Sequence, residues 1–220
     1  MTEKNTAHDE LPASRVRAAS LVRIVDDDAK MLTSYAFMLG AAGWRVKCFR
    51  SAEEFLRDED QTAGCLVLDV RMPGMSGLQL QAEMKRRGVI MPVIFVTGHG
   101  DVDMAVQTMK DGACDFMLKP VVPERLKAAV LHWSREDCVR RLLKLQTDAI
   151  EKDYETLSER ERQVLALVAQ GMSNKAIAAS LCIAERTVKF HRASVYEKLG
   201  VSSSAQLIAR AMQFRDKGLL

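Results

Sequence analysis

No stretch of these 220 residues approaches the ~20 consecutive apolar residues that span a bilayer, so a soluble cytoplasmic protein with no membrane partner is expected. The opening residues 1–20, MTEKNTAHDELPASRVRAAS, hold no apolar segment, resemble neither a signal peptide nor an anchor, and read as a flexible tail. The five cysteines, Cys48, Cys65, Cys114, Cys138 and Cys182, lack the paired spacing of a metal site and read as reduced packing residues. Internal repeats and low-complexity tracts are missing as well. Net charge is small, at +3, but unevenly placed: between Gly171 and Arg192, Lys175, Arg186, Lys189 and Arg192 face Glu185 alone among the acids.

What is present divides into two halves. From Leu21 to about Trp133, short apolar runs alternate with helix-like segments. VRIV, WRVKCF, CLVLD, PVIFVT and CDFML read as strands, with helices starting at Ala29, Ala52, Gly77 and Val102 and a fifth after Pro123. That alternation predicts an α/β fold, a doubly wound five-stranded parallel sheet covered on both faces, with ligands collecting at the carboxyl ends of the strands. From about Asp153 onward no strand signal occurs. Four short helices are predicted, at Gln163 to Ala169, Asn174 to Leu181, Glu185 to Leu199 and Ser204 to about Phe214, and Ser158 with Glu161 forms a capping-box pattern ahead of them. Between the halves, residues 135–152 read as a charged helical linker, with Val139, Leu142, Leu143 and Ile150 on one stripe as a modest dimer contact.

Carboxylates stand at strand ends. The first strand runs into Asp26, Asp27 and Asp28, and the third into Asp69, just before a Pro73-Gly74 turn. If the two strands are neighbours, Asp26, Asp27 and Asp69 converge; crowded carboxylates repel one another and call for a cation, and an all-oxygen site suits Mg²⁺. A solvated loop with a helix cap is the plainer account of the three aspartates, and Asp69 argues against it. Thr97 closes PVIFVT with a hydroxyl, and Lys119 follows CDFML with an ammonium. Taken singly these are a β-branched strand residue and a surface charge; taken together they are the parts that hold a phosphoryl group while Asp69 attacks phosphorus.

The pieces IVDDD, LVLDVRMPGMSGLQL, VIFVTGHGDVDMAV and DFMLKP resemble, in order and spacing, the receiver domain of two-component response regulators, over residues 21–134. The resemblance implies a flavodoxin-like fold, Asp69 as phosphoacceptor, and an Mg²⁺ site formed by Asp26, Asp27, Asp69 and the backbone carbonyl of Arg71. It places Thr97 and Lys119 on the phosphoryl oxygens and makes Phe116 the switch aromatic that turns with Thr97. It also implies a cis peptide at Lys119-Pro120.

In the C-terminal half, a helix, a break near Cys182 and Ile183, and a second helix with Lys189 and Arg192 outside and Val188, Val195 and Leu199 inside follow the design of a major-groove reader. LSERERQVLALVAQGMSNKAIAASL and ERTVKFHRASVYEKLGV resemble the LuxR-type four-helix helix-turn-helix domain, over residues 153–220. That resemblance places Lys175, Thr187 and His191 near phosphates and Lys189, Phe190, Arg192 and Ala193 toward base edges. Together the two halves look like the NarL/FixJ class of transcription regulators. The implied partners are a sensor histidine kinase, promoter DNA, RNA polymerase, and a second copy of the chain on activation.

Two other readings remain at this level. An aspartate-nucleophile phosphatase would need a second carboxylate two residues past Asp69, where the chain has Arg71. A phosphorylation-independent regulator would need no complete set of Asp26, Asp27, Asp69, Thr97 and Lys119.

Overall fold

A computed structural model of the chain describes residues 11–58, 60–98, 108–110 and 112–220. Its elements form two compact units, one ending at Leu142 and the other spanning Leu143–Leu220.

In the first unit the order is α1 (Ala13–Ala19), β1 (Leu21–Val25), α2 (Ala29–Ala41), β2 (Arg45–Phe49), α3 (Ala52–Leu56), β3 (Gly64–Leu68), α4 (Gly77–Arg86), β4 (Val93–Thr97) and β5 (Asp115–Leu118), followed by α5 (Pro123–Glu155). The strands make one parallel sheet in the order β2-β1-β3-β4-β5. The period of two divides the core cleanly. Cys65, Val67, Ile94 and Val96 pack with Leu32, Tyr35 and Leu39 of α2 and Leu126 and Val130 of α5 on one face. Leu66, Leu68, Val93 and Phe95 pack with Phe55 of α3 and Leu80 and Met84 of α4 on the other. The helix expected from Val102 lies outside the described residues, apart from 108–110, which are helical.

Two expectations change. The flexible tail expected through residue 20 is in part ordered: Ala13–Ala19 is helical and buries Val16 completely, while Arg17 lies over the Trp44 ring, 5.9 Å from its centroid. One valine in a polar context carries no periodic signal; it is the apolar sheet face that makes the helix worthwhile. The linker expected from residue 135 likewise begins inside α5. Ser134, Asp137, Cys138 and Val139 are buried, so this stretch belongs to the first unit's packing.

The second unit takes the end of α5 and adds α6 (Glu159–Ala169), α7 (Asn174–Ser180), α8 (Glu185–Lys198) and α9 (Ser204–Asp216). Ser158 and Glu161 close a reciprocal capping box at α6. Val164, Leu165, Ile177, Val188, Val195, Leu207 and Phe214 form its core. Among the described residues, no helix is long and apolar enough to cross a membrane.

Candidate phosphoacceptor and DNA-binding sites

Register brings the acidic residues together. Val25 of β1 pairs with Leu68 of β3, so the next residues, Asp26 and Asp69, leave adjacent strands side by side, and the Asp69 N–H donates to Val25 O at 2.9 Å. Asp26 and Asp69 are buried. Between them stands Lys119, carried past the end of β5, whose Nζ donates to Asp26 Oδ2 at 2.7 Å and to Asp69 Oδ1 at 2.8 Å. The Lys119 backbone N–H donates to Thr97 O at 2.8 Å, which ties it to the end of β4, and the peptide from Lys119 to Pro120 is cis.

The remaining oxygens are held by the loops. Asp26 Oδ1 accepts from the Asp28 N–H at 2.9 Å, and Asp69 Oδ2 from the Arg71 N–H at 2.7 Å. Asp28 itself caps α2 through the Lys30 N–H. Gly77 explains the small residue after the Pro-Gly turn: a Cβ there would stand 2.1 Å from the Asp69 carbonyl oxygen.

Electrostatics are uneven across the pair. Burial pushes the Asp69 carboxyl above its usual range, and the Lys119 ammonium and the Arg71 N–H offset only part of that, because Asp26 shares the same cation. For Lys119, burial opposes the charge, but its hydrogen bonds to two carboxylates outweigh it and hold the ammonium above its ordinary value. One cation thus serves two buried anions, and the cluster keeps net negative charge.

Of the residues expected here, the structure joins Asp26, Asp69 and Lys119 by direct contacts and puts buried Thr97 at the adjoining strand end. Asp27 and Arg71 are exposed, and Phe116 is half-buried against the α3 and α4 face of the sheet. The three carboxylates expected at one point are a buried pair plus a solvent-facing Asp27. Among the described residues, no group of three or more His, Cys, Asp or Glu side chains is placed to hold a metal.

Tyr35 was not foreseen. It sits on the buried stripe of α2, its hydroxyl buried without a hydrogen-bond partner, and burial raises its pKa with Lys119, Asp26 and Asp69 near enough to act on it. Helical spacing marks Tyr35 only as core, and nothing in the sequence relates it to strand ends far along the chain.

In the second unit, α7 and α8 are joined through Cys182, whose φ of 53° turns the chain in the left-handed region. Val188, Val195 and Leu199 are buried, as the spacing predicts. Opposite them Lys189, Phe190 and Ala193 are exposed, as is Lys175 on α7, while Thr187, His191 and Arg192 are half-buried. Arg192 Nη1 donates to Asn174 Oδ1 at 2.9 Å, and Lys189 Nζ is 3.5 Å from Glu185 Oε1.

Comparison with known families now bears on both sites. Residues 22–131 match the response regulator receiver domain, and residues 155–211 match the luxR family of bacterial regulatory proteins. Response regulator protein TmoT of Ectopseudomonas mendocina is 43% identical over 207 residues, covering 90% of each chain. Transcriptional regulatory protein FixJ of Rhizobium meliloti (strain 1021) is 42% identical over 201 residues, covering 87% of this chain and 94% of that one. The chain belongs to the NarL/FixJ class of response regulators.

Solved structures agree with that membership. The response regulator StyR matches with a TM-score of 0.82 at 39% identity, over 89% of this chain and 99% of that one. Full-length FixJ from B. japonicum matches at 0.53 and 38% identity, over 91% and 98%. As a response regulator of this class, the chain joins a receiver domain to a LuxR-type DNA-binding domain, and its relatives are transcriptional regulators.

Proposed function

We propose that Asp69 accepts a phosphoryl group from the phosphohistidine of a sensor histidine kinase, and that the modified protein regulates transcription by binding promoter DNA through α8. The observation that carries this reading is the single ammonium of Lys119 shared by the buried carboxylates of Asp26 and Asp69 at the carboxyl edge of the sheet. In the transfer, an Asp69 oxygen bonds to phosphorus as the P–N bond to the kinase histidine breaks, and the imidazole keeps the electron pair and takes up a proton. Phosphoryl transfer needs positioning and charge more than covalent help from the protein. Lys119 stands where it can pass from the carboxylate to a phosphoryl oxygen, and the Thr97 hydroxyl is assigned to another.

The buried Asp26 and Asp69 carboxylates share one ammonium and keep net negative charge, a chemistry that fits Mg²⁺. Asp26, Asp27, Asp69 and the Arg71 carbonyl would hold the ion, which supplies positive charge to the phosphoryl oxygens when bound. Arg71, rather than a carboxylate, stands two residues past Asp69, so we assign the chain no phosphatase turnover.

Modification would draw Thr97 toward Asp69 and turn Phe116 inward, repacking the surface beside β5, where a second copy docks. A dimer presents two α8 helices to two half-sites, and linking them raises affinity through effective concentration. Lys175, Thr187 and His191 are assigned to phosphates, and Lys189, Phe190, Arg192 and Ala193 to base edges, with RNA polymerase as the onward partner.

Acetyl phosphate and mass spectrometry test the acceptor. One phosphoryl group is expected on Asp69, only with Mg²⁺; equal labelling of Asp69→Asn or undiminished labelling in EDTA overturns the assignment. Ultracentrifugation with beryllofluoride tests the dimer. A chain that stays monomeric yet binds DNA more tightly would replace dimerisation with release of an inhibitory receiver contact.

A further inference from the structure

Helix α8 carries a side chain that none of its hydrogen-bonding groups explains. Phe190 is 70% exposed, although it lies on a helix whose other outward residues are mostly charged. It follows Val188, which is fully buried, by two positions, and at 100° per residue this sets its ring on the side of the helix away from the core. Arg186 and Ala193 are its neighbours at four and three residues, and both are exposed, as is the adjacent Lys189. The outward face of α8 is thus a small apolar patch of ring and methyl, edged by two cations.

The donors nearby are differently placed. Arg192 donates to Asn174 within the chain, and Lys189 forms an exposed ion pair with Glu185 at 3.5 Å. The Phe190 ring meets the edge of His191, with centroids 5.8 Å apart and planes at 69°. A lone exposed phenylalanine is ordinary on a protein surface. This one stands among the exposed residues of the face proposed to meet a polyanion, with Arg186 and Lys189 beside it to bring phosphates close.

In the major groove of DNA, the apolar group that base edges display is the C5-methyl of thymine. We propose that Phe190, with the Ala193 methyl beside it, is the specificity-determining apolar reader of α8, and that it recognises a thymine methyl in each half-site. The inference rests on the reading that α8 enters the major groove. Arg186 supplies attraction that is largely indifferent to sequence; Phe190 supplies discrimination through the water it displaces from the methyl.

Replacing thymine with deoxyuridine removes that methyl and leaves base pairing intact. The full chain would first select its preferred duplexes from a random pool, after which each thymine is replaced singly. One position per half-site is expected to lose roughly three- to fivefold in affinity, the worth of one buried methyl-sized group. Phe190→Ala should bind the thymine and uracil duplexes alike, and Phe190→Leu should keep part of the preference. If no single replacement weakens the parent protein, or if Phe190→Ala keeps the full preference, the assignment of Phe190 is overturned. Arg186→Ala and Lys189→Ala separate the two levels. If they weaken binding while uracil is neutral, α8 is the reader and Phe190 is not; if neither changes binding, α8 itself is misassigned and the proposal falls with it.

Discussion

Asp137 Oδ2 accepts a hydrogen bond of 3.0 Å from the backbone N–H of Gly64, 73 residues earlier at the start of β3. Asp137 is completely buried, and its carboxylate also takes the guanidinium groups of Arg140 and Arg141. Those arginines donate onward to Ile90 O at 2.6 Å and Gln61 O at 2.7 Å. Gly64 is the residue that fits this junction, since a Cβ there would stand 2.0 Å from Leu21 O. A charged turn of α5 is thereby fastened to the amino edge of the sheet, opposite the edge that holds Asp69.

Asp137→Ala would strand the buried Gly64 N–H and take the shared carboxylate from two partly exposed guanidinium groups. Removing one partner of a fully buried ion pair costs about 3–5 kcal/mol, and the partly exposed arginines bring the expected loss to roughly 2–3 kcal/mol. Urea unfolding followed by circular dichroism should show the loss, with Asp137→Asn intermediate; a change below about 0.5 kcal/mol would mark the cluster as solvated and of little structural consequence.

Lys119→Met removes the ammonium that Asp26 and Asp69 share. A hydrogen bond to a charged group contributes about 1.5–3 kcal/mol, so labelling of Asp69 by acetyl phosphate should slow by roughly 10- to 100-fold. Initial rates from intact-mass spectra, with folding checked by circular dichroism, measure it.

Asp69 carries an acid dependence of its own. Burial raises its folded-state pKa above the unfolded value, so its ionised form opposes folding, and that cost vanishes as pH falls through the raised pKa. Asp69→Asn should therefore melt as high as the parent or higher at pH 7, and the difference should shrink in acid. Melting curves from pH 7 down to about pH 4 would show it.

Glu161 behaves oppositely. Burial alone would raise its pKa, but Lys198 at 2.7 Å, the Ser194 hydroxyl at 2.6 Å and the Ser158 N–H together hold it down to about 2. A depressed carboxylate stabilises above its unfolded pKa, and the contribution is lost as pH falls toward about 2. Glu161→Ala should cost the DNA-binding unit about 2–3 kcal/mol at pH 7, allowing for the partly exposed Lys198, and less in acid. Chemical denaturation of the full chain at pH 7 and pH 3, followed by a probe placed in the DNA-binding unit, is the measure.

Much of this architecture is written in local pattern. Runs such as CLVL and VIFV, buried on both faces, have no stable place except a covered parallel sheet, and Ser158 with Glu161 marks the start of α6 because the two groups complete each other's bonds across one turn. Carboxylates and a lysine at strand ends were legible for the same reason, since parallel strands deliver their ends to one edge whatever the loops do. The helical face of Lys189, Phe190 and Ala193 followed from spacing alone.

Other features depend on groups far apart in the chain. Arg23, in the middle of the apolar strand LVRIV, is buried because Asp60 O at 2.7 Å and Thr62 O at 3.1 Å receive its guanidinium. Asp137 reads as one more charge in a charged helix until Gly64 is beside it, and the helix Ala13–Ala19 forms because the sheet offers Val16 a place to be buried. The withdrawal of Asp27 from the buried carboxylate pair is a matter of register and loop path. Sequence pattern determines elements and strand ends because those arise from bonds between near neighbours; ion networks, desolvation and the partner of each buried charge arise from contacts across tens of residues, and only the folded chain decides them.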